Sequence, residues 1–398
     1  MAAVLARLFG LGQMDRVQDI IQDTFETALS KWRFSGVPDN PSGWLMQVAK
    51  NKAVNMLKKE NRIQSFSPSA YLDHSDTGFE ASIDMLFSPG EIRDGQLRLL
   101  FTCCHPGLSP KNQIIITLHI LCGFGIPEIA NALLMHEEAV KKALSRSKAT
   151  LRKLDRILQA PVVTLSGERI KTVQTVLYLM FNEGYKTTRS TEAIDHDLCF
   201  EAIRLARLLD GKNSETNALL SLMFFDLSRF PARTDGHEEW LTLEEQDRSR
   251  WNRVFIEEGY HYLDRATQCR ILTRFHIEAI IASLHCSART FEETNWERIA
   301  YLYRQLELLE PSSPLVALNR IIAESYLPGP DSIQALDKLA TDPALKRSFL
   351  IPAARGDIYR RKGELKKARK AFEHALKIAV SPADKRFLSR KMRQCESL

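Results

Sequence analysis

Residues 108–156 read LSPKNQIIITLHILCGFGIPEIANALLMHEEAVKKALSRSKATLRKLDR, and the spacing of apolar, turn and charged residues in this stretch decides the fold. From 112 to 121, Ile114, Ile115, Ile116, Leu118, Ile120 and Leu121 form a dense apolar run that Gly123-Phe124-Gly125 interrupts. Gly125 suits an N-cap. Pro127 suits a first helical turn, where its missing N–H costs nothing, so a short helix follows with Ile129, Ala130 and Leu133 inward. After a turn at Leu134-Met135-His136, Val140, Leu144, Ser147, Leu151 and Leu154 repeat at helical spacing, while Lys141, Lys142, Ser145, Arg146, Lys148 and Arg152 fall mostly on the other face. The pattern predicts a helix-turn-helix.

A basic outer face on the second helix of such a pair is what major-groove docking requires, because its first turns approach base edges and its later Lys and Arg neutralise phosphates. Glu137 and Glu138 sit in the first turn, where the helix dipole favours carboxylates and a Glu can accept from cytosine N4. From 136 to 156 the chain carries seven Lys/Arg against three Asp/Glu. A Lys/Arg-rich face can also be merely solvated, but that does not explain the short preceding helix or the turn between them.

The chain has 398 residues, more than one core usually serves, so two or three domains are expected. No apolar run is long enough to span a bilayer, and residues 1–9 lack a signal-peptide pattern, which predicts a cytoplasmic protein without a membrane partner. The net charge of +6 is modest for this length, so its distribution matters more than its sum. Seven cysteines fit reduced thiols. Cys103 and Cys104 are adjacent and lack the two-residue gap that lets a cysteine pair chelate zinc, so core thiols are expected and neither a metal nor another cofactor.

Residues 17–32 read as an amphipathic helix with Val17, Ile20, Ile21, Ala28, Leu29 and Trp32 inward, and Asp19, Gln22, Asp23 and Glu26 outward. That acidic face suits a protein partner, or solvent. A loop with two prolines and a glycine leads to a second helix, 44–62, which is basic instead: Lys50, Lys52, Lys58, Lys59 and Arg62 against Glu60 alone. Trp44, Leu45, Val48, Ala49 and Leu57 supply its core side. A basic helix preceded by a loop and a Trp can also bind a strand's backbone and stack an unpaired base. From 63 to about 90 the chain turns polar and acidic (Asp73, Asp76, Glu80, Asp84), as a solvated linker does.

Two helical DNA-facing units joined by an acidic linker resemble bacterial RNA polymerase sigma factors of the extracytoplasmic-function type, within the sigma-70 family. Asp19-Ile20-Ile21-Gln22-Asp23-Thr24-Phe25 is similar to that family's region 2 helix. Trp44-Leu45 with Ala49-Lys50-Asn51 and Leu57-Lys58-Lys59 resembles the helix that opens the -10 element, and the stretch from Leu108-Ser109-Pro110 to Val140-Lys141 and Arg146 resembles region 4, the reader of the -35 element. Val37-Pro38-Asp39-Asn40-Pro41, Leu97-Arg98-Leu99, Phe101-Thr102-Cys103-Cys104-His105-Pro106, Leu179-Met180-Phe181-Asn182-Glu183-Gly184-Tyr185, Asp247-Arg248-Ser249-Arg250-Trp251 and Ala317-Leu318-Asn319-Arg320 resemble signatures of a subgroup with a long helical C-terminal extension. The chain opens at Met1-Ala2-Ala3-Val4-Leu5 inside what would be the first helix of region 2, so that region is expected to be N-terminally shortened.

The resemblance implies an all-α protein: region 2 over 1–62, a linker over 63–90, region 4 over 91–160, and a helical extension over 161–398. It implies Asp19, Gln22, Asp23 and Glu26 against core RNA polymerase. Trp44, Lys50, Asn51, Asn55, Lys58 and Lys59 would lie on the -10 strand. Glu137, Glu138, Lys141, Lys142, Ser145, Arg146 and Lys148 would lie on the -35 duplex. It also implies control by the extension itself.

Within the extension, Gly356, Tyr359, Gly363, Ala368, Phe372 and Ala375 follow the small-aromatic-small pattern of a tetratricopeptide unit, clearest over 349–382. A degenerate unit is suggested over 299–311. Stacked helix pairs would offer a concave face to a peptide or protein ligand. The stretch 230–251 is a polar loop with Glu238, Glu239, Glu244, Glu245 and Asp247 but no catalytic spacing. His276 and Glu278 read as a helix cap and a packed polar group, so no enzyme is expected, and the basic stretch 385–393 reads as a solvated last helix. Two other readings fit the same sequence. One is a stand-alone helix-turn-helix regulator with the extension as sensor, which usually binds as a dimer. The other is a repeat-protein adaptor.

Overall fold

The computed structural model describes residues 1–61, 85–133, 135–153, 167–185, 196–209, 213–235, 239–268, 271–329, 331–343, 345–346, 348–380 and 382–395. Among them the chain is helical, with no β-strand and one isolated bridge between Thr234 and Trp240. Asp73, Asp76, Glu80, Asp84, Arg62, Leu134, Leu154 and Glu238 lie outside the described residues. The chain divides into two compact units, Met1–Leu179 and Met180–Leu398, with the boundary inside one helix, Gly167–Tyr185.

In the first unit, α1 (Ala2–Phe9) buries Ala3, Val4, Leu5 and Ala6 completely or nearly so. It packs against α2 (Met14–Ser35) and α4 (Pro89–Cys103). The inward face of α2 is Met14, Val17, Ile20, Thr24 and Ala28. Leu29, expected inward, is 74% exposed, and Trp32 is only half-buried. On a helical wheel Leu29 lies about 120° from Val17, at the flank of the apolar arc. There it is left largely uncovered by the described residues. Pro41 starts α3 (Pro41–Asn61), and Asn40 Oδ1 accepts from Gly43 N at 2.9 Å. Ala49 and Ala53 are its fully buried residues, whereas Trp44, Leu45, Val48 and Leu57 are half-buried.

The helix-turn-helix forms as its spacing predicts. Ser109 caps α5 (Pro110–Thr117). One π-helical turn, Leu118–Cys122, follows and ends at Gly123, whose φ of 79° is the left-handed conformation glycine adopts without strain. Gly125 N donates to Glu128 Oε2 ahead of α6 (Ile126–Ala132), the half of a capping box in which the N3 side chain satisfies the N-cap N–H. Val140, Leu144, Ser147 and Leu151 of α7 (Glu137–Arg152) are buried against α5 and α6. Cys103 and Cys104 are buried, free thiols, and burial raises both, Cys104 to about 12.

The second unit begins with the end of α8 (Gly167–Tyr185). It continues through α9 (His196–Arg207), α10 (Ser214–Ser228), α11 (Arg253–Ala266), α12 (Arg274–Ser287), α13 (Trp296–Leu309), α14 (Pro314–Glu324), α15 (Ser332–Leu339), α16 (Leu350–Arg361), α17 (Leu365–Ile378) and α18 (Pro382–Gln394). Helices mostly pack on their near neighbours in sequence, as in a solenoid. The small residues read from the sequence do the work expected of them. A Cβ on Gly356 would lie 2.7 Å from the Phe372 ring, so α16 and α17 approach only because Gly356 has none. Gly363, at φ 75°, turns the chain between them.

Residues 239–246 depart from the polar-loop reading. They form a strap: Arg390 of α18 pairs with Glu239 (3.4 Å) and Glu245 (2.7 Å), Lys391 pairs with Glu245 at 3.0 Å, and Arg360 of α16 pairs with Glu244 at 2.6 Å. Lys391 is 2% exposed, so α18 is not a solvated basic tail. Arg390 and Lys391 point at carboxylates some 145 residues away in sequence, a pairing that no local pattern reveals.

Candidate nucleic-acid interface

The outer face of α7 is set by its inner one: once Val140, Leu144, Ser147 and Leu151 are buried, the residues between them must point out. Glu137, Glu138, Lys141, Lys142, Ser145 and Arg146 are all exposed on the first three turns. Glu138 bonds Lys141 at 2.8 Å, which raises the Lys141 ammonium above its ordinary range and keeps it charged. Lys148 is turned differently. It is half-buried and donates to Asp15 Oδ1 (3.2 Å) and Gln18 Oε1 (3.3 Å) of α2, while Arg152 reaches Asp15 at 3.7 Å.

Beside this contact Gln18 Nε2 lies 2.6 Å from His119 Nε2, and His119 Nδ1 lies 3.1 Å from the Phe124 carbonyl. The carbonyl can only accept, so Nδ1 carries the proton and Nε2 accepts from Gln18. Burial lowers the His119 pKa, which keeps that neutral tautomer in place.

On α2, Asp19, Gln22, Asp23 and Glu26 are exposed together, and Gln22 donates to Glu26 at 3.1 Å. Phe25, 49% exposed, and Leu29 border them. The acidic face is therefore edged with uncovered apolar area, which a solvated face does not need. The sequence reading missed Phe25 and Leu29. A wheel drawn strictly from Val17, Ile20 and Ala28 would have placed both outside the core arc.

On α3, Trp44 packs on Trp32 of α2, with ring centroids 5.3 Å apart and planes at 57°. Half-buried, Trp44 offers its remaining surface beside the exposed Asn51, which accepts from Gln47. Asn55 and Lys59 are exposed, and Lys50 and Lys58 half-exposed, along the same helix.

Protein-family comparisons match residues 1–63 to the sigma-70 region 2 family and residues 98–151 to the sigma-70 region 4 family. The chain belongs to the sigma-70 family. In this sigma factor, residues 169–267, the first part of the helical extension, match a family of unknown function, DUF6596. A protein of Rhizobium meliloti (strain 1021), named there only as uncharacterized, is 33% identical over 378 residues, covering 94% of this chain and 89% of the relative. No solved structure matches this chain. Sigma-70 proteins are transcription initiation factors, not enzymes, and regions 2 and 4 are the parts through which they bind core RNA polymerase and promoter DNA. No described helix is long and apolar enough to cross a membrane, and no group of metal-binding side chains is found among the described residues.

Proposed function

We propose that this chain is a cytoplasmic sigma factor of the extracytoplasmic-function type, with region 2 over 1–62, a linker over 63–90, region 4 over 91–160 and a tetratricopeptide-like regulatory extension over 161–398. Asp19, Gln22, Asp23 and Glu26 dock on the polymerase, with Phe25 and Leu29 supplying apolar contact beside them. Trp44, Lys50, Asn51, Asn55, Lys58 and Lys59 hold the melted -10 strand. Glu137, Glu138, Lys141, Lys142, Ser145 and Arg146 read the -35 duplex, and Lys148 serves there only when its contact with Asp15 opens.

The observation that carries this reading is the shared exposed face of those six α7 residues, at the start of a helix whose other side is locked against α5 and α6. It is the geometry a recognition helix needs. The test is run-off transcription with core polymerase on a -35/-10 template, together with polymerase pull-down. Lys142→Glu plus Arg146→Glu is expected to lower promoter affinity at least about tenfold while leaving polymerase retention unchanged. Asp19→Ala plus Asp23→Ala is expected to do the reverse. Failure of the unmodified chain both to be retained and to initiate would overturn the proposal.

A further inference from the structure

The second unit holds a cavity of about 510 Å³ that neither promoter binding nor polymerase docking uses. Its walls come from α12, α13, α14, α16, α17 and α18, from Phe291 and Tyr326 between helices and, on one side, from Thr242, Leu243 and Glu244 of the strap. The volume is that of a site for a drug-sized molecule. An open solenoid groove would admit a chain passing along it. Here the strap, pinned to α16 and α18 by Glu244, Glu245 and Glu239, supplies a wall where such a groove would run.

The lining is aromatic. Trp296 and Tyr326 stack with centroids 4.0 Å apart, Phe291 packs on both at 5.2 and 5.4 Å, and Arg361 covers Tyr326 at 3.7 Å. Every charge in the wall is already matched within the protein. Arg361 reaches Asp357 at 3.5 Å and donates to Ser325, Glu244 holds Arg360, and Lys391 holds Glu245. His285, on Trp296 in an edge-to-face contact, is neutral because burial brings its pKa down to about 3. A charged guest would lose its hydration without gaining a counter-charge. Asn319 is different: it lines the cavity, is exposed, and makes no side-chain hydrogen bond to any described residue. Its amide has both donors and acceptor available.

We propose that this cavity is the binding site of an uncharged, amphipathic small molecule, whose apolar body lies against Phe291, Trp296 and Tyr326 and whose carbonyl, amide or amine group pairs with Asn319. The extension is then a receptor for a neutral organic ligand, with the strap as the wall that closes over it. Binding is read on the protein alone, so its failure is separate from failure of the promoter reading.

The full-length chain is titrated with 1-N-phenylnaphthylamine, an uncharged two-part aromatic amine that brightens in apolar sites. Saturable binding at one dye per chain is expected. Asn319→Trp and Leu315→Trp, both at exposed lining positions, fill the cavity and are each expected to weaken binding at least about tenfold with an unchanged helical circular-dichroism spectrum. The same ring system carrying a sulfonate, 8-anilinonaphthalene-1-sulfonate, is expected to bind at least about tenfold more weakly to the unmodified chain. That comparison needs no variant, so it stands even if a substitution disturbs folding. No saturable binding of the neutral dye, equal affinity for the sulfonate, or affinity unaffected in both folded variants overturns the proposal. So does exclusion of the dye with saturable binding of an apolar pentapeptide, which would assign the cavity to a chain segment.

Discussion

At the scale of the residue, His285 and Glu245 couple the second unit to pH, and both do so in the same direction. The His285 imidazole is buried beside Arg229 and Arg248, and burial first, then those two cations, lower its pKa from 6.5 to about 3. Below pH 6.5 the unfolded chain takes up a proton that the folded one refuses, so stability present above that pH falls as the pH drops toward 3. The slope is about 1.4 kcal/mol per pH unit. Urea midpoints of the full chain between pH 7.5 and 5 should fall accordingly, and His285→Phe should flatten the dependence; an equal slope in the variant would remove His285 as its cause. For Glu245, burial opposes ionisation, but hydrogen bonds from Arg390, the Lys391 charge and the Thr242 N–H outweigh it and hold the carboxyl well below the usual carboxylate range. Its contribution is complete above the ordinary carboxylate pKa and is lost only in acid below that. Glu245→Gln leaves the Lys391 ammonium buried without its counter-charge, and should cost about 3 kcal/mol in a denaturant titration at pH 7. A loss within experimental error would mean that the strap does not hold α18. By their sequence Glu245 and Lys391 look like charges of an ordinary polar loop and a solvated last helix. Charge type is visible in a sequence, but which charges lose their water is not.

At the scale of the element, the helices and their ends were largely legible, because caps, turn glycines and apolar spacing act within a few residues. Ser109, Gly123, Gly125 and His136 bound the helix-turn-helix where local chemistry puts them. His276 and Glu278 likewise serve the start of α12: the Thr273 N–H donates to His276 Nδ1, and Glu278 accepts from Arg274. The spacing of Gly356 and Phe372 predicts a close helix crossing, and the 2.7 Å that a Cβ would leave to the Phe372 ring gives the reason. Gly356→Ala should therefore lower stability by about 1–3 kcal/mol through displacement of that ring, despite alanine's better helix propensity. An increase in the denaturation midpoint would show that α16 and α17 separate without penalty. Leu29 is the instructive miss. Its type suggested the core, but its position on the wheel decided, and the apolar area it leaves uncovered lies beside the acidic face of α2.

At the scale of the molecule, each unit holds a contact that its elements do not predict singly. In the first, α7 meets α2 through Lys148 and Arg152 on Asp15 and Gln18, and His119 of the π-helical turn holds Gln18 from the other side. Ion pairs on a partly exposed carboxylate such as Asp15 are worth little to stability, but they neutralise cations that could otherwise pair with phosphates. Asp15→Asn should free Lys148 and Arg152 and steepen the dependence of promoter-DNA affinity on salt by about one to two phosphate contacts, measured as the slope of log K against log salt. An unchanged slope would show that those side chains do not reach DNA when released. In the second unit, the strap joins residues 239–246 to α16 and α18 and walls the cavity.

Sequence by itself determined the all-helical class, the order of sigma-70 regions, the inward and outward faces of α7, and the small-residue crossing of α16 and α17. The helical class, the faces of α7 and the α16–α17 crossing follow from periodicity and caps, whose physics spans one or two helical turns, and the order of the regions follows from the resemblance of the motifs to the sigma-70 family. Only the tertiary structure decided that Lys148 faces α2, that Lys391 is buried on Glu245, and that an aromatic cavity forms behind the strap. These depend on which distant surfaces meet, and so on burial and desolvation, which a side chain acquires only from neighbours far along the chain.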